Sequence, residues 1–230
     1  MSDTRHPISY ETAVDYILRF ITNYPNAASR SIGGYIDKPT LEIILANNDI
    51  TDLYGLLFWY CCNLSEPEEN EENPLPYLFL SLTDKDGFDQ NNPPATPDIA
   101  HDYFRAATIH TFTGTATTET VDNYLATTDY SGSRDIMSIT AGETADLLGN
   151  FLTAFPQAAA VSVSTANPCG LFIQEDSGIS DLMNDDPCTG LNYFFGVTDG
   201  TEPKICVVLF PVDDNGLNAT TRLIFERAYP

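Results

Sequence analysis

Apolar residues recur at helical spacing in two segments of the chain, each of which opens with the triplet Glu-Thr-Ala. The first segment begins at Glu11 and the second at Glu143. Apolar positions follow at intervals of three and four residues, which is the spacing of one buried helix face. Both segments reach a proline, Pro25 in the first and Pro156 in the second, and proline cannot continue a helix. The pattern predicts two amphipathic helices in equivalent positions.

A longer match follows the two predicted helices. Residues 35–58 align with residues 173–196 without a gap. The aligned apolar positions begin at a spacing of three and four residues, which predicts a short helix. They continue through stretches rich in aromatic and branched residues, 53–62 and 191–197, which predict a strand.

A second strand is predicted by the match of residues 76–82 with residues 203–209. In both halves this strand ends in Asp, Asn and Gly residues, at 84–87 and 213–216, which favour a turn. The second half joins its two strands through the pair Asp-Gly at 199–200, a strong hairpin signal. The two strands of each half are therefore predicted to form an antiparallel hairpin.

The first half has a longer connection between these strands, residues 63–73. It holds five glutamates between Glu66 and Glu72, which repel one another and bring little apolar surface to bury. We expect this acidic insertion to be a solvent-exposed, mobile loop.

Together the matches predict an α+β fold built by tandem duplication, because the matching features recur in the same order. Each copy has the order helix, strand, helix, strand, strand. Copy one covers residues 1–110 with the acidic hairpin insertion at 63–73, a threonine-rich connector covers 111–134, and copy two covers 135–230. Chance coincidence between two amphipathic stretches is the competing explanation.

Other elements are predicted from local pattern alone. The first strand of each copy is placed at 29–36 and 160–164, a helix at 98–109, and a short helix at 119–126. The tail, 220–228, fits either the end of a helix or an edge strand.

Two motifs in copy two carry a resemblance to known proteins. They are a Gly-x-x-Tyr-Phe-Gly-type strand and a Val-Asp-x-x-Gly turn, here Gly190-Leu191-Asn192-Tyr193-Phe194-Phe195-Gly196 and Val212-Asp213-Asp214-Asn215-Gly216. With the preceding helix, they resemble small bacterial proteins that have no assigned function. The resemblance is weaker in copy one, and it implies a fold but no activity.

Composition narrows the classes of partner. Ten Lys+Arg against 33 Asp+Glu give a net charge of −23, which repels nucleic acid phosphates and anionic membrane surfaces. With 43% hydrophobic residues the chain can build a core. No apolar run reaches the roughly 18 residues of a spanning helix, and no leader peptide is predicted. Five cysteines, an odd number with no CxxC pair, favour a reducing compartment, so we expect a cytoplasmic protein without disulfides.

The candidate residues for metal binding and catalysis do not have the spacing that the known motifs require. Residues 84–89 lack the ligand spacing of a calcium loop. Cys61 and Cys62 are adjacent and point to opposite faces of a strand, and His101 and His110 would fall on opposite sides of a helix. The chain has no G-x-S-x-G, Walker or G-x-G-x-x-G motif. We therefore assign no catalytic, cofactor-binding or metal-binding residue.

Two features are candidates for an exposed functional surface. Cys169 lies in an Asn-Pro-Cys-Gly insertion of copy two and is the candidate reactive thiol, whereas Cys188 and Cys206 align with apolar residues of copy one and are expected in the core. For Trp59 and its aromatic neighbours Phe58 and Tyr60, a sheet buried on both faces is the favoured interpretation, and an exposed binding face is the alternative.

The leading hypothesis is a non-enzymatic protein-binding module, such as an adaptor, chaperone or inhibitor, whose partner is a basic protein. The alternative is an enzyme with a carboxylate site between the two copies. An acidic mimic of nucleic acid is a third hypothesis, and solubility alone also accounts for the charge.

Overall fold

The computed structural model describes residues 7–46, 53–63, 74–84, 103–106, 108–129, 136–139, 141–155, 169–173, 188–201, 203–219 and 224–228. Within these residues the chain alternates helices and strands, in the order β1 (Pro7–Ile8), α1 (Tyr10–Asn23), α2 (Pro25–Ala28), β2 (Gly33–Asp37), α3 (Lys38–Ala46), β3 (Leu53–Asn63), β4 (Leu75–Asp84), β5 (Tyr103–Ala106), β6 (Thr108–His110), α4 (Thr118–Thr127), β7 (Ile136–Ile139), α5 (Ala141–Ala154), β8 (Cys169–Ile173), β9 (Gly190–Val197), β10 (Ile205–Val212) and β11 (Ile224–Ala228).

The strands form two sheets. Sheet A has the order β1-β11-β10-β9-β2-β6, and sheet B has the order β7-β5-β4-β3-β8. Neighbouring strands run antiparallel in both sheets. The predicted α+β class is therefore confirmed.

Each sheet takes strands from both halves of the chain. In sheet A, β2 of the first half pairs with β9 of the second, with Gly34 opposite Tyr193. In sheet B, β8 of the second half pairs with β3 of the first, with Leu57 opposite Leu171. The helices cross over in the same way, since α1 packs on β9 and α5 packs on β3. The two halves therefore interlock, and the division into copies at 1–110 and 135–230 stays a prediction.

The two sheets have corresponding strand orders. In sheet A the strand that precedes α1 lies beside β11, followed by β10, β9 and a strand of the other half. In sheet B the strand that precedes α5 lies beside β5, followed by β4, β3 and a strand of the other half. β6 extends sheet A beyond β2 and has no described counterpart beyond β8.

Both predicted hairpins are present. β3 pairs with β4, and β9 pairs with β10. The β9–β10 connection closes through the Thr198 N–H, which donates to the Lys204 carbonyl at 2.9 Å. Of the acidic insertion 63–73, the described part is the exposed Asn63 at the end of β3, so the predicted loop lies outside the described residues.

The strand registers correct the two sequence alignments. Leu56 pairs with Leu82 in the first hairpin, but their predicted counterparts Phe194 and Leu209 are not opposite each other, because Phe194 pairs with Val208. One of the two alignments is therefore shifted by one residue. A shift of one residue moves every side chain to the opposite face of the strand. When both faces are apolar, the sequence shows no polar–apolar alternation that would reveal the shift.

The helices predicted from apolar spacing are confirmed as α1, α5 and, at 119–126, α4. Ser9 caps the N-terminus of α1, and its Oγ accepts the Thr12 N–H at 3.2 Å. α4 begins with a reciprocal pair in which Thr117 and Thr120 each accept the other's backbone N–H. The short helix predicted after the first strand is α3, and its predicted counterpart near residues 176–184 lies outside the described residues.

The predicted helix at 98–109 is wrong, because its described part forms strands β5 and β6. Each of these strands pairs with a sheet, and pairing with a neighbour outweighs the weak local preference of so short a segment. The predicted first strand at 29–36 begins too early, since β2 starts at Gly33, and the tail forms β11 between β1 and β10 instead of an edge. The predicted strand at 160–164 lies outside the described residues, and β8 follows it.

A single core cluster joins α1, α5 and strands of both sheets. Its centre is aromatic: Phe20 of α1 stacks on Phe195 of β9, with ring centroids 5.3 Å apart, and also approaches Phe155 beyond α5. Tyr60 of β3 contacts Phe151 of α5 at 5.2 Å. These contacts bring the C-terminal halves of α1 and α5 together over the strands.

Candidate functional site

A cavity of about 330 Å³ lies where α1 and α5 end. This volume is near the lower limit for small-molecule pockets and is large enough for one long side chain. Its walls come from the ends of the two helices, from α2 and from the residue before β4, and they consist of Asn23, Tyr24, Pro25, Asn26, Ala27, Pro74, Thr153, Ala154 and Phe155.

The two helices end in the same way at this cavity. The Tyr24 N–H donates to the Phe20 carbonyl at 2.9 Å, and the Phe155 N–H donates to the Phe151 carbonyl at 2.8 Å. A proline follows each of these aromatic residues and prevents a further turn. Two residues before each aromatic residue, the hydroxyls of Thr22 and Thr153 each donate to the carbonyl four residues before them.

Both helix ends give the cavity a negative potential. The last carbonyls of a helix have no partner within the helix, and the aligned peptide dipoles place about −0.5 of an elementary charge there. Neither α1 nor α5 has a basic residue in its last turn. The lining contains no Lys, Arg, Asp or Glu among the described residues, so no side-chain charge compensates this potential inside the cavity.

A pair of aromatic residues lies where the two helices end. The half-buried Tyr24 and the buried Phe155 meet edge to face, with ring centroids 5.1 Å apart and ring planes at 76°. Burial raises the pKa of Tyr24, which keeps the phenol neutral. The side chains of Asn23 and Asn26 are exposed at the rim and offer amide oxygens and nitrogens.

A chain of buried polar side chains lies elsewhere in sheet A. His110 Nε2 is 2.9 Å from Asn192 Oδ1, Asn192 Nδ2 donates to Asn218 Oδ1 at 2.7 Å, and Asn218 Nδ2 donates to the Leu125 carbonyl at 2.8 Å. The His110 ring also stacks on Phe194, with ring centroids 5.3 Å apart. The chain of bonds ties β6, β9 and the segment after β10 to α4.

The direction of this chain follows from its last member. The Leu125 carbonyl can only accept, so Asn218 must present its amide nitrogen there and its oxygen to Asn192. Asn192 then has its oxygen toward His110, so the ring must carry its proton on Nε2. Burial lowers the pKa of His110 to about 4, and the hydrogen bonds with Asn192 and with the Gly34 backbone oppose that shift only in part. We interpret these residues as a structural connection, because all three side chains are buried and satisfied.

This network predicts a pH dependence of stability. The folded protein keeps His110 neutral down to about pH 4, whereas the unfolded chain takes up a proton near the ordinary value of 6.5. The unfolded state therefore binds more protons between these values. This proton uptake lowers the free energy of unfolding. The loss is absent above about pH 6.5 and grows to about 3 kcal/mol as the pH falls to about 4.

Urea unfolding of the wild type and of His110→Gln at several pH values measures this contribution. The difference between the two proteins isolates the histidine from the carboxylates, which titrate in both. We expect the wild type to lose more stability on acidification than the variant. Parallel pH profiles would show that the burial of His110 does not govern its protonation.

The favoured interpretation of the segment around Trp59, burial on both faces of the sheet, is confirmed, and the competing exposed binding face is wrong. Trp59 is 1% exposed, and its neighbours Phe58 and Tyr60 are buried as well. A sheet covered on both faces therefore describes this part of β3.

The cysteines are placed mostly as expected. Cys61, Cys62, Cys188 and Cys206 are buried thiols, and burial raises the pKa of the Cys62 thiol to about 12. The candidate reactive thiol, Cys169, is the first residue of β8 and pairs with Trp59, so its backbone belongs to a sheet and not to an insertion loop.

The residues at 213–216 form the predicted turn. Asp213 Oδ1 accepts the N–H groups of Asn215 and Leu217 at 2.9 and 3.0 Å. This local bonding explains the carboxylate without a metal. The described residues contain no cluster of metal-ligating side chains. Of the matching segment in the first half, 84–87, the structure describes Asp84 at the end of β4.

Sequence reasoning missed the cavity residues as a site. It identified Pro25 and Pro156 as the ends of equivalent helices, but nothing in the pattern indicated that those ends meet. Comparison with known protein families, curated proteins and solved structures found no match to this chain. Among the described helices, none is both long and apolar enough to cross a membrane.

Proposed function

We propose that this protein is a non-enzymatic protein-binding module, an adaptor, chaperone or inhibitor, whose partner is a basic protein. The observation that carries the proposal is the net charge of −23, with 33 acidic against 10 basic residues. Exposed carboxylates occur on several helices, among them Glu11 of α1, Glu119 of α4 and Glu143 of α5. A field of one sign attracts and orients a partner of the opposite sign before contact.

The enzyme hypothesis finds less support in the described residues. No carboxylate lines the cavity where α1 and α5 meet. Asp37 is a buried carboxylate, but its Oδ1 accepts the Thr40 N–H at 2.9 Å at the start of α3. That bond is the usual role of Asp before a helix and suggests no acid–base chemistry.

We also infer that the chain arose by tandem duplication, and that the cavity is a consequence of it. The corresponding strand orders of sheets A and B support the inference, as does the exchange of β2 and β8 between them. The shared ends of α1 and α5 support it further. If the repeats are related by an approximate two-fold axis, equivalent helix ends near that axis face each other and enclose one site.

The partner proposal predicts salt-dependent capture from source-cell lysate. Immobilised protein is exposed to lysate at about 0.05 M and about 0.5 M NaCl, where screening differs strongly, and retained proteins are identified and purified. We expect a stoichiometric partner of high isoelectric point whose binary affinity falls as salt rises. A partner that is acidic, or whose affinity is insensitive to salt, would contradict the proposal.

The acidic insertion provides a charge variant for the same measurement. Replacing residues 63–73 with the copy-two connection 198–202 removes five glutamates and brings in one aspartate and one glutamate, a net loss of three negative charges. It should leave the melting temperature unchanged or slightly raised, because loop closure depends weakly on length. We expect weaker binding and a flatter salt dependence for the basic partner. A large fall in melting temperature would show that the insertion packs as structure.

A further inference from the structure

We propose that the cavity between the ends of α1 and α5 receives an arginine side chain of the basic partner; the inference rests on the proposed function. Two helix C-termini and the half-buried ring of Tyr24 converge on one cavity of about 330 Å³. Each of these features favours a cation. The arginine side chain of a basic protein has a positive charge, which the helix ends attract, and a planar group, which stacks on an aromatic ring.

The helix ends supply the electrostatic attraction. Two C-termini together place about one negative elementary charge at the cavity wall, inside a chain of net charge −23. No described cation lines the cavity, and Arg30, which follows α2, lies outside the lining. α2 begins in the same wall, but its four residues form a single turn whose opposing dipole is small.

The half-buried ring of Tyr24 favours a planar cation. A guanidinium within about 6 Å of a ring centroid gains from the negative face of the ring, and it can stack flat where an ammonium cannot. Phe155 is fully buried and meets Tyr24 edge to face, so it supports the Tyr24 ring from behind and does not itself contact the cation.

The lining also offers hydrogen-bond acceptors for several donors at once. Asn23 and Asn26 have exposed amide side chains, and the last carbonyls of α1 and α5 have no partner within their own helices. A guanidinium has five N–H donors in a fixed plane, whereas the three donors of an ammonium surround a compact, strongly hydrated charge. Arginine is therefore expected to bind more tightly than lysine here.

The test is a ¹H–¹⁵N NMR titration of the full chain with N-acetyl-arginine amide. Its neutral analogue, N-acetyl-citrulline amide, has nearly the same shape without the charge, and N-acetyl-lysine amide keeps the charge without the plane. We expect arginine to saturate with a dissociation constant of about 1 mM, with shifts concentrated at residues 23–27 and 153–155. Citrulline should bind at least about tenfold more weakly, and lysine should fall between the two.

A charge placed in the cavity provides the matched pair of variants. Asn23→Lys puts a resident cation at the rim, and Asn123→Lys adds the same charge at an exposed position of α4. We expect the first to weaken arginine binding at least about tenfold and the second to change it less than about twofold. If Asn23→Lys does not fold, Asn26→Lys at the same rim replaces it.

The outcomes separate this inference from the proposed function. The inference is overturned if citrulline binds as well as arginine, if Asn23→Lys binds arginine as tightly as the wild type, or if the shifts lie elsewhere. It is also overturned if a captured basic partner binds Asn23→Lys and Asn123→Lys equally tightly. Arginine binding at the cavity without any basic partner in the lysate would instead contradict the proposed function.

Discussion

Cutting the chain after Asp129 is expected to produce two fragments that fold only together. Residues 1–129 contain β2, and residues 130–230 contain β9, the strand with which β2 pairs. Sheet B is divided in the same way, between β3 and β8. Each fragment alone would expose the core faces that α1 and α5 cover across the division. Apolar surface of that extent is not stable in water.

Circular dichroism, thermal melts and a hydrophobic dye measure the result. We expect each isolated fragment to bind the dye and to lack a cooperative transition. An equimolar mixture should recover the near-ultraviolet spectrum and the cooperative melt of the intact chain, with a dissociation constant of about 1 μM or below. The intact chain, carried through the same steps, is the control. A cooperative melt of either fragment alone would show that 1–110 and 135–230 are independent domains.

Elements formed by neighbouring residues could be predicted from the sequence, whereas the pairing of strands from different halves could not. α1 and α5 are predictable because their apolar spacing and their final prolines are local signals. The hairpins are predictable because their two strands are neighbours in the chain. The pairing of β2 with β9 involves residues more than 150 positions apart, and no local pattern states which strand will be the neighbour.

The errors in the prediction have a common physical origin. β5 and β6 fall in the predicted helix 98–109, where each short segment takes its conformation from the strands with which it pairs. The register shift between the hairpins arises in strands whose two faces are both buried, as in β9 and β10. Alternation of polar and apolar residues, which would fix the register, is absent there.

The cavity was unpredictable for a related reason. Tyr24 and Phe155 are each ordinary helix-end residues in the sequence, and only the folded chain brings their rings to 5.1 Å from each other. That distance is set by the contacts of Phe20 with Phe155 and Phe195, which belong to the other half of the chain. A site built from the ends of two helices that lie far apart in the chain has no sequence motif of its own.

Replacement of glycine by alanine is expected to lower stability at Gly33, where strands of the two halves pair, and to raise it at Gly149 in α5. Gly33 of β2 lies between His110 of β6 and Phe194 of β9. A Cβ added at Gly33 would collide with the backbone carbonyl oxygen of Tyr193 and would lie 2.9 Å from the Phe194 Cα. These are backbone atoms, so the collision is relieved only if β2 moves away from β9. Its φ of 156° adds strain for any residue with a side chain.

We therefore expect Gly33→Ala to lower the free energy of unfolding by about 3 kcal/mol or more, or the melting temperature by about 10 °C. The matched control is Gly149→Ala in α5, where the glycine is exposed and a Cβ would meet nothing within 4 Å. Alanine is the better helix former by about 1 kcal/mol, so this variant should be more stable than the wild type. Hydrogen exchange should show the loss in Gly33→Ala first at the amides of β2 and β9. A Gly33→Ala variant within about 0.5 kcal/mol of the wild type would show that β2 and β9 can separate at little cost, and the close interlocking of the halves would then contribute little to stability.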